Sequence, residues 1–506
     1  MKRAIAMSHH NRREFLKRTA VVSFAAAGFT IAGTKASGRV LGANDRIRLA
    51  VAGINSRGQE HLAAYCNLKD KIEIAYLVDP DSRLFPMRSQ FVQDQAGNRP
   101  KCVQDLRQVL DDKELDAVSI ASPDHWHALL AIWACQAGKD VYVEKPCSHT
   151  VWEGRKLVEA ARKYNRIVQH GTQSRSNPAF IREVAAVRSG KYGQLLIAYG
   201  YASKTRRSIG FKQPKEPPKE LDFNTWLGPC PRQPYHENLV HYNWHWFWDF
   251  GSGEIGNQGV HQMDIARWAM PEGASPRSVV SLGGRFGYKD QGQTPNTQLT
   301  IIDFGEAKLV FEDRGLVNAR TTKVTNEFHT TEGVIKEGKF FPKGTTKGES
   351  LPSIAAEEFQ QRVTLSGRVE KPPSSAAFED PQQLHFANFI DCVRSRKRED
   401  LHAEILEGHR TSMLCHLANL SYQLSKEVPF RDPIAAFGND MAAYEAWGSM
   451  KQHLIDAGSL NLDESTIRLG RRLCFDAHVE KCVGDEDADK LLTRSYRNPF
   501  VVPAEV

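Results

Sequence analysis

From Arg46 to Asn165 the chain alternates short apolar runs with stretches of helical spacing. "IRLAVAGI", "IEIAYLVD", "LDAVSIAS" and "DVYVEKP" have the composition of buried strands. "SRGQEHLAAYCNL", "DHWHALLAIWACQAG" and "VWEGRKLVEAARKYN" between them read as helices. Strands that alternate with helices at this spacing imply a parallel, doubly wound sheet.

The first strand runs into "GINSRG", Gly53 to Gly58. Gly53 permits a tight turn and Gly58 permits close helix packing. The backbone amides that follow can face a pyrophosphate. Asn55 stands where the usual G-x-G-x-x-G pattern has its middle glycine, so the loop alone is weak. Asp79 strengthens it. A carboxylate at the end of the second strand can accept hydrogen bonds from an adenosine ribose and disfavours a 2′-phosphate. The alternative for Asp79 is a turn residue before Pro80. Together, Gly53, Asn55, Ser56, Arg57, Gly58 and Asp79 read as a dinucleotide site, for NAD first, with Arg83 keeping NADP open.

Two further stretches, "ASPDHWHA" and "VYVEKP", complete a pattern. The chain resembles the glucose–fructose oxidoreductase, inositol dehydrogenase and MocA (Gfo/Idh/MocA) family from about Arg46 onward, most clearly up to Met270. The resemblance implies an α/β fold: an N-terminal Rossmann domain, then a C-terminal α/β domain with an open, mostly antiparallel sheet. With residues 1–38 read as a signal peptide from their own sequence, it divides the rest into 39–172, the NAD(P)-binding domain, and 173–506, a substrate and oligomerisation domain with a helical tail. It adds Ser122, Pro123, His127, Glu144 and Lys145 to the cofactor site, with a cis bond before Pro146. Sugars or polyols would lie between the domains. Such chemistry removes a hydroxyl proton as the carbon–hydrogen bond breaks. A partly buried lysine beside a cationic nicotinamide loses protons readily, so Lys145 is the candidate base and Glu144 its orienting partner. The alternative for Glu144 is a strand-end ion pair.

The second half changes character. "QLLIAYGYAS", "PRSVVSLGGRFG", "TQLTIIDF" and "AKLVFED" read as strands of one larger sheet. "KQPKEPPKELD" is a proline- and lysine-rich loop. It continues into "DFNTWLGPCPRQPY", similar to an arm of exported family members. "PQQLHFANFIDCVRSRK" and "EGHRTSMLCHLANLSYQLS" read as helices.

Between arm and sheet lies "WHWFWDFGSGEIGNQGVHQMDIARWAM". A helix starting at Gly256 sets Asn257, His261, Asp264 and Trp268 on one arc. A stripe of Asn, His and Asp is costly to bury without partners but suits a polar pocket. The family carries Asp-x-x-x-His here, both at the substrate. His261 matches, whereas Asn257 replaces the acid and cannot take a proton. The resemblance thus implies Lys145, His261 and Asn257 as catalytic residues. Substrate contacts would come from Lys145, Asn257, His261, Asp264 and Trp246. Trp268 is read as core. Tyr242, Trp244, Trp246 and Trp248 alternate as one face of an extended segment would. His236, His241 and His245 lack a metal-ligand spacing, so no metal is expected.

The net charge is +7 over 506 residues, and six of those charges fall in the first 38. A nearly neutral body gives no electrostatic case for nucleic acid or membrane-surface binding. The basic start, "NRREFLKR" followed by an uncharged run, reads as a twin-arginine export signal. A periplasmic or exported protein without stable membrane insertion is expected. The nine cysteines form no CxxC pair, though Cys474 and Cys482 could pair in an oxidising compartment.

The first function expected is an NAD(P)-dependent oxidoreductase of sugars, sugar derivatives or cyclitols. The alternative is an NAD-dependent glycosidase or lyase working through transient oxidation and elimination. A second alternative is a non-catalytic sugar-binding protein on a dehydrogenase scaffold. A homo-oligomer is expected by resemblance, through the open sheet face.

Overall fold

The computed structural model describes residues 45–318, 321–353, 380–430 and 434–506. The export signal lies outside them. Six parallel strands form the first sheet: β1 (Ile47–Ala52), β2 (Ile72–Val78), β3 (Lys101–Val103), β4 (Ala117–Ile120), β5 (Asp140–Val143) and β6 (Val168–His170). Their order is β3-β2-β1-β4-β5-β6, so the winding reverses between β1 and β4. Ligands of such sheets bind outside the carboxyl ends of the strands at that reversal. Helices α1 (Arg57–Cys66), α2 (Phe85–Ala96), α3 (Asp124–Gln136) and α4 (Val151–Lys163) connect the strands. Local chemistry fixes α4: Thr150 Oγ1 accepts from the Glu153 amide while Glu153 Oε2 accepts from the His149 amide.

Residues 39–172 do not close this domain alone. A later helix, Pro381–Ser395, returns to cover one face and buries Phe386, Phe389 and Ile390 against Leu49, Ile74 and Tyr142. The opposite face takes a strap from the far end of the chain: Phe500, Val502 and Val506 join Trp126, Trp133 and Leu110. Domain boundaries read along the chain miss both returns, because neither segment carries a local mark of its partner.

The second sheet is mixed. Its long strands are β7 (Leu195–Ser203), β8 (Ser278–Gly284), β9 (Thr297–Asp303), β10 (Lys308–Arg314) and β11 (Lys323–Thr330). β7 pairs in parallel with β10, and the other pairings are antiparallel. The helices Val260–Trp268 and Ile405–Gln423 pack on one face. The face expected to be open is covered by the chain itself. Helix Met441–Gly458 lays Trp447, Met450 and Leu454 over Tyr199, Leu282, Leu299 and Val310.

Two local expectations change. The aromatic lead-in is not extended: Asn243–Trp246 is a 3₁₀ turn, so its rings do not share one face. The helix after it begins with a π-helical turn, Ile255–Gly259, before Val260–Trp268 continues as α-helix. That wider turn shifts Asn257 relative to the residues after it. The Lys145–Pro146 bond is cis. All nine cysteines are free thiols, Cys474 and Cys482 included.

Burial also sets an acid limit. Loss of hydration pushes His125, His170, His245, His261, His402 and His416 down to about 3, and His385 to about 4. Unfolding returns each towards 6.5, so below 6.5 the unfolded chain binds more protons than the folded one. This contribution to stability is complete above that value and is lost as the pH falls towards the folded values. Thermal melts should show a clearly lower Tm at pH 5 than at pH 7.5. Equal Tm values would contradict the neutral, buried state of these rings.

Candidate active site

The carboxyl ends of β1, β2, β4 and β5 open into one cleft of about 250 Å³, bordered by Gly53, Asp79, Ser122 and Lys145. Its roof comes from residues 204–250, which fold into an arm with its own small core of Leu221, Trp226, Tyr235, Trp244 and Phe250. Trp226, His241, Tyr242, Trp244 and His245 face the cleft. The arm is tied to the first domain by hydrogen bonds along its length. Asp222 donates its amide to Pro80 O at 2.9 Å, Ser82 donates to Glu220 O at 3.1 Å, and Trp126 Nε1 donates to Trp226 O at 3.0 Å. His241 Nε2 lies 2.8 Å from Asp81 Oδ2.

The floor fits a dinucleotide. Gly53 has φ +80°, and a Cβ there would stand 2.6 Å from the backbone of Ala121. A Cβ on Gly58 would stand 1.9 Å from Gly53 O. The loop therefore passes close to β4 and leads directly into α1, whose first amides carry the helix's partial positive charge. Asp79 is buried, its carboxylate fixed by the amides of Ile54 and Asp81, each at 3.0 Å. Ser122 Oγ and Arg57 Nη2 are buried without hydrogen-bond partners. These are donors awaiting acceptors, as phosphate or ribose oxygens would be. His127 lies between two turns, its ring nitrogens 2.6 Å from Pro146 O and 2.7 Å from Ser122 O. It braces the cleft as well as lining it.

At the far end stands the reactive cluster. Glu144 accepts from Arg57 Nε at 2.8 Å and lies 3.1 Å from both His61 Nε2 and Gln173 Nε2. Burial pushes this carboxyl up, but Arg57 and then His61 outweigh it and hold it well below the usual carboxylate range. Glu144 is thus a fixed anion, not a proton store. Lys145 Nζ donates to Asn257 O at 2.8 Å and reaches Asn257 Oδ1 at 3.4 Å. Burial lowers the Lys145 amine, opposed by Glu144 and Asp124. His261 lies within electrostatic reach of Lys145 and Glu144; burial, then Lys145, keeps it neutral. Its Nδ1 is buried without a partner.

Two family models match this chain. One, an oxidoreductase family with an NAD-binding Rossmann fold, covers residues 47–172; the other, the C-terminal α/β domain of the same family, covers residues 200–282. Residues 47–172 and 200–282 thus match the two domains of the Gfo/Idh/MocA oxidoreductase family. A glycosyl hydrolase family 109 protein of Shewanella pealeana is 29% identical over 37% of this chain and 44% of its own. Inositol 2-dehydrogenase of Salmonella typhimurium is 26% identical over 36% of this chain and 54% of its own. The chain spans about half the length of these curated relatives. A solved levoglucosan dehydrogenase, in complex with NADH and levoglucosan, has a TM-score of 0.54 at 17% identity, covering 74% of this chain and 96% of the other.

The structure separates the residues expected at the substrate. Lys145 and Asn257 line the cleft, with His261 beside them. Asp264 does not reach it. Asp264 is fully buried, paired through both oxygens with Arg175 at 2.8 and 2.9 Å and accepting from Thr411 at 2.7 Å. It braces the helix that carries His261. Trp246 is also turned inward, 6% exposed, with the Arg206 guanidinium 5.4 Å from its ring centre. The 3₁₀ turn is the cause: it turns Tyr242, Trp244 and His245 to the cleft instead.

Two residues of the site, Arg206 and Asp124, have no role in the sequence reading. Arg57, expected in the dinucleotide loop, also bridges that loop to Glu144 at 2.8 Å, the ion pair held open as the alternative for Glu144. Arg206 pairs with Glu254 at 2.5 and 2.7 Å, and Glu254 in turn faces Asn257. Asp124 was quoted within "SPDHWH" without a role, and it lines the cleft. The signal available for Asp124 is its place in the motif; for Arg206 there is none.

Proposed function

We propose that the protein is an NAD-dependent oxidoreductase of a sugar, sugar derivative or cyclitol. The observation that carries this reading is the meeting of Lys145 and Asn257 at the end of a cleft floored by the Gly53–Gly58 loop. Sugar- and cyclitol-directed names among the relatives support it. In this reading the loop amides and Arg57 hold the pyrophosphate, and Asp79 receives ribose hydroxyls. Asp79 beside a 2′-phosphate would repel it, which favours NAD over NADP. The bound dinucleotide supplies the hydride acceptor. Lys145 takes the hydroxyl proton, Asn257 orients that hydroxyl, and His261 donates or accepts a hydrogen bond as a neutral ring.

One observation favours a second reading, the redox-assisted glycosidase. The arm roofs the cleft, which suits a dinucleotide that is reduced and re-oxidised without leaving. A non-catalytic sugar-binding role leaves the Lys145–Asn257 contact without a purpose. We also propose export as a folded, loaded protein through the twin-arginine route, on the strength of "NRREFLKR".

The test is to release and identify any nucleotide in the purified protein, then to incubate it with aldoses, inositols and p-nitrophenyl glycosides. Net reduction of NAD or a keto-sugar product supports the oxidoreductase. Aglycone release without net reduction supports the glycosidase. A protein that neither contains nor binds a dinucleotide would overturn both. Arg12→Lys/Arg13→Lys retained in the cytoplasm supports the export route, and unchanged export rejects it.

A further inference from the structure

Asn257 leaves the site without the acid its pattern would supply, and a proton taken by Lys145 has to go somewhere. Glu144, His261 and Glu254 are each committed: the first is locked as an anion by Arg57, the second is held neutral by burial, and the third is paired through both oxygens with Arg206. Asp124 has the required properties. It opens α3 and is 3% exposed, and its Oδ2 has no hydrogen-bond partner. It lines the same cleft as Lys145 and Asn257. The position is also the first turn of a helix, where a carboxylate is favoured by the local dipole. That accounts for an exposed capping acid, however, not for a buried carboxyl that lines a cavity, has Ser252 as a donor and still keeps one oxygen unpaired.

We propose that Asp124 is the proton acceptor behind Lys145, filling from the first domain the place that an acid at 257 would fill from the second. This rests on the oxidoreductase reading. During oxidation of a secondary alcohol, the carbon's hydrogen leaves with its electron pair to the oxidised nicotinamide. The O–H electron pair becomes the second carbon–oxygen bond, and its proton goes to the neutral Lys145 amine. The ammonium so formed passes that proton to the Asp124 carboxylate. The balance is alcohol plus oxidised dinucleotide giving ketone plus reduced dinucleotide, with one proton on Asp124. The reverse reaction returns that proton through Lys145. Burial raises the Asp124 carboxyl to about 7 against the pull of Lys145, while burial lowers Lys145. The two groups are thereby brought towards equal proton affinity, which lowers the cost of transfer.

The experiment uses the intact, dinucleotide-loaded protein and its Asp124→Asn, Asp124→Glu and Lys145→Met variants. Infrared difference spectra across pH 5 to 9 should show a buried carboxyl titrating near neutrality. That band should vanish in Asp124→Asn and titrate at higher pH in Lys145→Met, where the nearby cation is gone. With p-nitrophenyl glycosides, aldoses and inositols, Asp124→Asn should lose roughly tenfold or more in kcat together with the ionisation on the acid side of its pH profile. Asp124→Glu should restore part of both. A band that persists in Asp124→Asn, a midpoint unmoved by Lys145→Met, or an unchanged pH profile would overturn the proposal. If the wild type turns over none of these sugars, the oxidoreductase reading fails, while the infrared measurement still decides whether Asp124 and Lys145 share a proton. Should Asp124→Asn not fold, the Lys145→Met shift decides.

Discussion

A Lys145→Ala variant should turn over about 10²- to 10⁴-fold more slowly than the wild type while still holding its dinucleotide. The size follows from position. Lys145 Nζ is fixed by the Asn257 carbonyl at the end of the cleft, and its neighbours are committed elsewhere. Arginine should not rescue the variant, because a guanidinium does not give up its proton. Stopped-flow hydride transfer measures the loss, and nucleotide released on denaturation measures retention. A rate within a factor of ten of the wild type would reject Lys145 as the base.

The second large effect falls on stability. Asp264→Ala leaves the buried Arg175 guanidinium with only Glu407, 3.7 Å away, as a counter-charge, and breaking such a buried pair costs about 3 kcal/mol. Arg175 is 5% exposed and Asp264 fully buried, so water cannot compensate. Urea unfolding should show a lower midpoint with an unchanged slope. Replacing both partners with apolar residues, Arg175→Met/Asp264→Leu, should recover much of the loss, since it removes the stranded charge as well. A loss below about 1 kcal/mol for Asp264→Ala would mean the pair is not insulated as described.

These two expectations mark what the amino-acid pattern could reveal. The doubly wound half was legible because strand and helix periods alternate cleanly and the glycine loop sits between the first pair. Lys145 and Asn257 were legible through motifs, and the cleft brings them together. For Asp264 the sequence allows either a substrate contact or a residue that orients His261; the structure shows the second, through Arg175, which comes from a segment with no recognisable pattern. Trp246 was misjudged because alternation was taken for extended chain, whereas a 3₁₀ turn rotates side chains by a different step. The return of helix Pro381–Ser395 to the first sheet was illegible because amphipathicity shows that a face is buried but not against what.

The strap at the chain's end has a consequence of its own. Arg497 donates to the carbonyls of Gly228 and Cys230 and, through Nη2, to that of Asn224, while Phe500 sits in the hydrophobic layer beneath α3. The arm is therefore pinned by residues synthesised some 270 positions after it. During translation the nucleotide-binding strands emerge first, the roof follows, and the pin comes near the end. The arm is thus held twice, first by its own bonds to the first domain and then by a strap made long after it. Arg497→Ala should remove only the second hold, so a bound dinucleotide should leave the finished protein faster while the arm keeps its ties to Pro80, Trp126 and Asp81.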